Sequence, residues 1–205
     1  MLLDHHNGDH DTYNYSVWGN YIFLDVEERR RFALEPLEYL IEQVQYLGSK
    51  SITANAGSAR VKLNFNHPVK ELQWVMSTDA NLAPNSVTGN NLFNFSSNSK
   101  TDPFRDMKLQ FNGQDRFVKR DAKYFRTIQP YKHHSGTPRK HIYTYSFSLN
   151  PEKHQPSGTC NMSRLDLANM MMTFNSSSVV DSKLKVYALS YNVFRVMSGM
   201  GGLAF

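Results

Sequence analysis

Cysteine is nearly absent: Cys160 is the single one in 205 residues. No intramolecular disulfide can form, so the fold has to be held by its core, and a reducing compartment is the expected setting. A secretory leader is missing as well, because Met1-Leu2-Leu3 runs straight into Asp4, His5 and His6. No apolar run approaches the roughly 20 residues that a membrane helix needs, so direct membrane insertion is not expected. Charged residues are sparse at 20%, and Asn, Ser and Thr take their place, as suits turns and polar strand faces. Asn14, Asn94, Asn161 and Asn175 each open an Asn-X-Ser sequon, which without a leader reads as incidental in such a composition. No repeat with a period of about 20 to 50 residues is present.

Chemistry is equally hard to find. Six of the eight histidines fall in two groups, His5, His6 and His10, and His133, His134 and His141, but no His-X-His occurs. Adjacent histidines point to opposite sides of an extended chain and chelate poorly, so surface histidines are expected rather than a metal site. Gly-X-Ser-X-Gly is absent, and the run from Ser198 through Gly199, Met200, Gly201 and Gly202 is followed by no Lys-Ser/Thr pair. That run reads as a terminal turn. Cys160 has no histidine at a telling spacing and reads as a passive thiol. The residues therefore point to no enzyme, no metal and no cofactor.

What is present is a chain with a sizeable core and many strands. A domain of roughly 160 residues can bury about 70% of its unfolded surface, and 40% apolar with 13% aromatic residues supply the material. Val61, Leu63 and Phe65 alternate with Lys62 and Asn64; Asn66-His67-Pro68 makes a turn; Leu72, Trp74 and Met76 follow, with Glu71 and Gln73 on the other face. Met107, Leu109 and Phe111 alternate up to an Asn112-Gly113 turn. Tyr143, Tyr145, Phe147 and Leu149 share one face, and Met170, Met172 and Phe174 another. Tyr187, Leu189, Tyr191 and Val193 alternate until the phase slips at Phe194, where a bulge is expected. Strands at even spacing with polar turns argue for an all-β sandwich or barrel.

Other stretches read differently. Residues 79–106 are dense in Asn, Ser, Thr, Pro and Gly around Leu92, Phe93 and Phe95, and form a long loop. Residues 121–128 suggest a short helix, followed by a basic loop. Residues 35–47 fit either helical spacing or a strand face, and a boundary falls near 32–38. There the strand-like Tyr21-Ile22-Phe23-Leu24 and the charge run Glu27-Glu28-Arg29-Arg30-Arg31 give way to new material. The net charge of +5 is too modest to predict specific nucleic-acid binding. Basic clumps at Arg29-Arg30-Arg31, Lys119-Arg120 and Arg139-Lys140-His141 read as solvated loops and inter-subunit ion pairs rather than as a groove.

One long motif is specific. Tyr145-Ser146-Phe147-Ser148-Leu149-Asn150-Pro151-Glu152-Lys153-His154-Gln155-Pro156-Ser157-Gly158-Thr159-Cys160-Asn161-Met162-Ser163-Arg164-Leu165-Asp166 resembles the signature near the C-terminus of the major capsid proteins of nucleocytoplasmic large DNA viruses. Three further segments resemble the same family in the same order. They are Tyr21-Ile22-Phe23-Leu24-Asp25 with Glu28-Arg29-Arg30-Arg31-Phe32; Asn64-Phe65-Asn66-His67-Pro68-Val69-Lys70-Glu71-Leu72; and Tyr187-Ala188-Leu189-Ser190-Tyr191-Asn192-Val193 running on to Gly199-Met200-Gly201-Gly202-Leu203-Ala204. By their chemistry, Pro151 should stop a strand and Pro156-Ser157-Gly158 should make a tight turn. Asn161 and Ser163 can bond backbone beside that turn, and Arg164 can pair with Asp166 along a strand.

The resemblance implies two successive jelly rolls, trimers of pseudo-hexagonal outline, and an icosahedral shell. It makes residues 1–32 the remnant of the N-terminal jelly roll, with the last strand at about 15–32. Residues 33–205 become the C-terminal, eight-stranded antiparallel jelly roll, with 40–47 as a strand. The partners implied are copies of the chain in a homotrimer, neighbouring capsomers and minor capsid proteins, in a virion assembled in the host cytoplasm. Pro151, Glu152, Gln155, Pro156, Ser157, Gly158, Asn161, Ser163, Arg164 and Asp166, with Asn66, His67 and Pro68, are expected to determine the fold. The alternative is a carbohydrate-binding jelly-roll module using Phe93 and Phe95.

Overall fold

A computed structural model describes residues 16–83, 91–97, 101–174, 180–198 and 200–204. Among these, two antiparallel sheets face each other across one hydrophobic core. The strands are β1 (Leu37–Ile52), β2 (Ser58–Lys62), β3 (Pro68–Thr78), β4 (Asp106–Phe111), β5 (Gln114–Asp115), β6 (Arg120–Asp121), β7 (Tyr143–Ser146), β8 (Cys160–Asn161), β9 (Ala168–Thr173), β10 (Ser182–Met197) and β11 (Met200–Leu203). One sheet runs β1-β10-β3-β7, with β11 beside β10 and β8 beside β3; the other runs β2-β9-β4-β5, with β6 beside β4. The described residues thus form eleven strands where eight are expected, because short ladders of two residues edge the long ones.

The alternating residues fill the core largely as their period dictates. Val61, Leu63, Phe65, Leu72, Trp74, Met76, Met107, Leu109, Met170, Met172 and Phe174 are all buried. The Asn112-Gly113 turn links β4 to β5, and both residues have positive φ, 48° and 86°, as a tight hairpin demands. Residues 37–52 form one continuous strand paired along β10, so the strand reading of 40–47 holds.

Elsewhere the structure corrects the pattern. On β10 the core face is Leu184, Val186 and Ala188, the opposite parity from Tyr187 and Leu189. Both faces of this strand carry apolar residues, so periodicity could not choose; it lies between β1 and β3, and Tyr187 instead stacks on Tyr46 at 4.8 Å. Phe194 stays in register with Tyr39 and Leu203; the irregularity comes earlier, where Leu189 faces Glu71 and Ser190 faces Val69, leaving Lys70 extra. β7 ends at Ser146, and Leu149 is exposed in the loop beyond it.

Residues 21–24 lie in no strand, and the charge run is a helix, α1 (Val26–Leu34). Asp25 caps Val26 at 2.7 Å, and Glu28 reaches back to the Asp25 N–H, a capping box that outweighs the β-rich residues before it. Within the long loop, Thr78 caps a single turn, α2 (Asp79–Leu82). The expected short helix continues further: a π-helical stretch (Tyr124–Ile128) passes directly into α3 (Gln129–His133). Pro130 removes one N–H from that helix and crowds the carbonyl four residues back, and a widened turn just ahead of it relieves both. The helix seats Phe125 in the core against Trp74 and Phe117, and Gln129 accepts a hydrogen bond from the Ser146 N–H at 3.1 Å, which protects the edge of β7. Within the terminal glycine run, Met200, Gly201 and Gly202 lie in a strand rather than a turn, and a side chain at Gly201 would come within 2.7 Å of the Phe194 ring.

Candidate functional site

The residues picked out by motif converge on one corner of the larger sheet. Lys70, the extra residue on β3, presents its carbonyl to two successive N–H donors, Phe147 at 2.9 Å and Ser148 at 3.2 Å. The chain leaving β7 is thereby pinned over the bulge. It turns at 150–153, where the Lys153 N–H donates to the Asn150 carbonyl at 3.2 Å with Pro151 in the second position. Ser157 closes the loop: its hydroxyl lies 2.6 Å from that of Ser148 and accepts from the Asn150 N–H at 2.9 Å. The tight turn is therefore at Pro151-Glu152, while Pro156-Ser157-Gly158 forms no turn and Gln155 and Pro156 are exposed. Gly158 has φ +129°, and a Cβ there would sit 3.1 Å from the Phe147 carbonyl oxygen.

The chain then re-enters the sheet as β8, opposite Pro68 and Val69. His67 has φ +65°, and its N–H donates to Ser163 Oγ at 2.8 Å; the Met162 N–H returns a bond to the His67 carbonyl at 3.1 Å. Asn161 Oδ1 accepts from the Ser163 N–H at 3.1 Å. Gln45 clamps Asn66 through both backbone groups, at 2.6 and 2.9 Å. Asn161 and Ser163 thus do the backbone bonding expected of them. Arg164 instead ends a 3-10 turn (Met162–Arg164); it and Asp166 are exposed, and no ion pair joins them. Beside this turn lies an open hollow of about 360 Å³, lined by Leu40, His67, Pro68, Ser163, Tyr191 and Val193 among others.

Under the loop is a group of charges that pattern reasoning missed. Lys70, 1% exposed, places its ammonium 2.5 Å from Glu42 on β1, reaching across β10, with the Tyr191 ring at 5.3 Å. Tyr191 donates to the His154 carbonyl at 3.2 Å. Glu71, 2% exposed, accepts from Gln73 and meets His134 Nε2 at 2.9 Å, a close approach without hydrogen-bond alignment. His134 Nδ1 lies 3.3 Å from Glu152, which also accepts from the N–H and hydroxyl of Ser135. These contacts hold the Glu152 carboxyl below its usual range, Ser135 contributing most. Alternation alone could not predict this, because it assigned Glu71 to a polar outer face; His134 and the turn at 150–153, which lie over it, come from far later in the chain.

The other candidates disperse. His134 and His141 are mostly buried in contacts with carboxylates, not free on the surface, and burial pushes His141 down. Asp102 accepts from Arg126 at 2.9 Å and Tyr143 at 2.8 Å, and burial raises the Tyr143 hydroxyl far above its usual value. No trio of His, Cys, Asp or Glu fit to hold a metal occurs among the described residues; His5, His6 and His10 lie outside them. Burial pushes the Cys160 thiol up, as a passive cysteine requires. Arg31 pairs with Glu35 and Lys119 with Asp106, while Lys140 sits 5.3 Å over the Phe93 ring. Phe93 packs edge-on to Phe95, with ring centroids 6.4 Å apart.

The corner joins three of the four ordered motifs in one set of contacts, and the whole-chain comparison accounts for that order. The family described as large eukaryotic DNA virus major capsid protein matches residues 28–202. The chain belongs to this family. It is 42% identical to the major capsid protein of Pyramimonas orientalis virus, over 93% of this chain and 48% of that protein. It is 39% identical to that of Paramecium bursaria Chlorella virus 1, over 93% and 53%. A protein chain of the PBCV-1 virus capsid superposes on it with a TM-score of 0.73 at 36% identity, over 90% of this chain and 55% of that one. The Faustovirus major capsid protein, at 16% identity and a TM-score of 0.61, shares the fold. The chain spans about half the length of the curated relatives it matches. Relatives in this family are named as capsid proteins, which are structural proteins and not enzymes.

Proposed function

We propose that this chain is the C-terminal jelly roll of a double jelly-roll capsid protein, and that it works by assembling into trimeric, pseudo-hexagonal units of an icosahedral shell. The observation that carries this reading is the superposition on a chain of the PBCV-1 capsid over 90% of the present length. Function here is shape: a rigid two-sheet body repeated by symmetry, so that modest contacts multiply across a lattice. The partners are copies of the chain, neighbouring units and minor capsid proteins, in a particle assembled in the host cytoplasm.

Residues 1–32 are the remnant of a first jelly roll. In support, no residue in the described part of this leader is buried: Val17, Trp18, Tyr21, Ile22 and Phe23 are 84–101% exposed, and α1 has no buried residue. Apolar side chains at that density on a polypeptide call for a partner surface. The motif residues at 66–68 and 151–166 act as fold determinants of the corner, through the turn, the Gly158 approach and the Ser163–His67 bond.

The mass of the purified chain, from light scattering coupled to size exclusion, tests the assembly claim. A discrete species at three times 23.6 kDa is expected. A monomer at all concentrations overturns self-assembly by this chain.

A further inference from the structure

His134 stands where three separate stretches of the chain meet. It follows α3 directly; its Nε2 faces Glu71 of β3 at 2.9 Å, and its Nδ1 faces Glu152 of the 150–153 turn at 3.3 Å. Its side chain is 14% exposed, and the Glu71 carboxylate beneath it is 2% exposed. Ser135 extends the contact by giving its N–H and hydroxyl to Glu152 at 3.0 and 3.1 Å. His133 Nδ1 lies 3.1 Å from the Leu149 carbonyl, one further tie between the helix end and the same loop. A buried carboxylate is costly unless a cation accompanies it, and His134 is the cation within reach of Glu71. Lys70, the neighbouring ammonium, is engaged by Glu42 at 2.5 Å.

We propose that His134 is a proton-operated latch: protonated, it bridges Glu71 and Glu152 and fastens the 150–153 turn to the sheet; neutral, it lets that turn lift. The inference rests on this geometry and not on the assembly reading, so the two can fail independently. The groups around the ring are Glu71 from β3, Glu152 from the turn followed by Lys153 and His154, and Lys132 and His133 from α3. His154 is turned to Glu42 instead, at 3.8 Å. Of these the two carboxylates touch the ring, and both favour its charged form.

The direction of the pH response follows. Contact with Glu71 raises His134 above the ordinary 6.5, burial opposes the rise, and Glu152 adds to it. A histidine raised in the folded state contributes its full stabilisation below its unfolded value and loses it as pH climbs through the folded one. The latch is therefore closed at pH 6 and opens on the alkaline side.

Hydrogen exchange on the whole 205-residue chain between pH 6 and 9 tests this, after correction for the intrinsic pH dependence of exchange. Protection of amides in 147–158 should fall as the pH rises, relative to those paired between β2 and β9. In His134→Gln the ratio should be flat across that range. A flat ratio in the unaltered chain, or the same fall in His134→Gln, overturns the latch. Because that variant could fail to fold, the His134 ring is also titrated by NMR in the unaltered chain. A titration above 6.5 supports the proposal, and one at or below 6.5 overturns it.

Discussion

Glu42→Gln should cost the chain about 3 kcal/mol of stability, and more than Lys70→Met, although both remove the same ion pair. The asymmetry comes from burial: the Lys70 side chain is 1% exposed, whereas Glu42 is 29% exposed. Removing the carboxylate charge leaves the buried ammonium a neutral amide oxygen, the Tyr191 ring at 5.3 Å and, among the described residues, no second ion pair. A cation–π contact is worth about 0.5–2 kcal/mol and cannot neutralise the charge. Breaking a buried pair from one side costs about 3–5 kcal/mol, and solvent at the Glu42 side places this case at the low end. Lys70→Met leaves a carboxylate that water can reach and fills the same channel with apolar atoms, for a cost of about 1 kcal/mol. Urea unfolding at pH 7 reads both. With a slope of about 2 kcal/mol/M, the midpoint should fall by about 1.5 M for Glu42→Gln and about 0.5 M for Lys70→Met. The double variant should lie near the second value. Equal losses for the two single variants, or a loss under about 0.5 M for Glu42→Gln, would show that the Lys70 charge reaches water, and the reasoning would fail.

Other substitutions test the remaining contacts by the same unfolding assay. Gly158→Ala forces a side chain into φ +129° and against the Phe147 carbonyl at 3.1 Å, and should cost about 1–3 kcal/mol. Phe125→Ala empties a fully buried site between Trp74, Phe117 and Tyr124, and should cost about 3–5 kcal/mol. Arg164→Ala and Asp166→Ala, both exposed, should each stay within about 0.5 kcal/mol; a larger and shared loss would restore the ion pair that the sequence suggested.

The two-sheet body was legible wherever one face of a strand meets the core and the other meets solvent. Met107, Leu109, Met170 and Met172 satisfy that condition, and their alternation identifies β4 and β9 directly. It weakens on β10, where Tyr187 and Leu189 carry as much apolar weight as Val186 and Ala188. It fails on the leader. There Tyr21, Ile22 and Phe23 have strand composition but no neighbouring strand among the described residues, while Asp25 and Glu28 carry the spacing of a capping box within the charge run. Strand propensity describes a fit to a neighbour, and a segment without one leaves it unrealised.

The corner was legible in parts for a related reason. Asn161 accepts from a N–H two residues on, and such short-range hydrogen-bond chemistry can be read from residue type; that Ser163 would meet the distant His67 N–H could not. Lys70 and Glu71 could not be read that way, since their partners lie at Glu42, His134 and Glu152, supplied by three different stretches. One local clue existed: two opposite charges near the start of β3, flanked by Val69 and Leu72. Buried charges carry a desolvation cost that apolar replacements would avoid, so their presence there argues for specificity of arrangement over raw stability. The bulge at Lys70 gives that arrangement content. The extra residue turns one carbonyl toward Phe147 and Ser148 and its ammonium toward Glu42, so a single irregularity fixes both where the loop crosses the sheet and which strand lies two places away. An apolar residue at 70 could preserve the packing and would keep the carbonyl that holds Phe147 and Ser148, but it could not choose Glu42 as its partner.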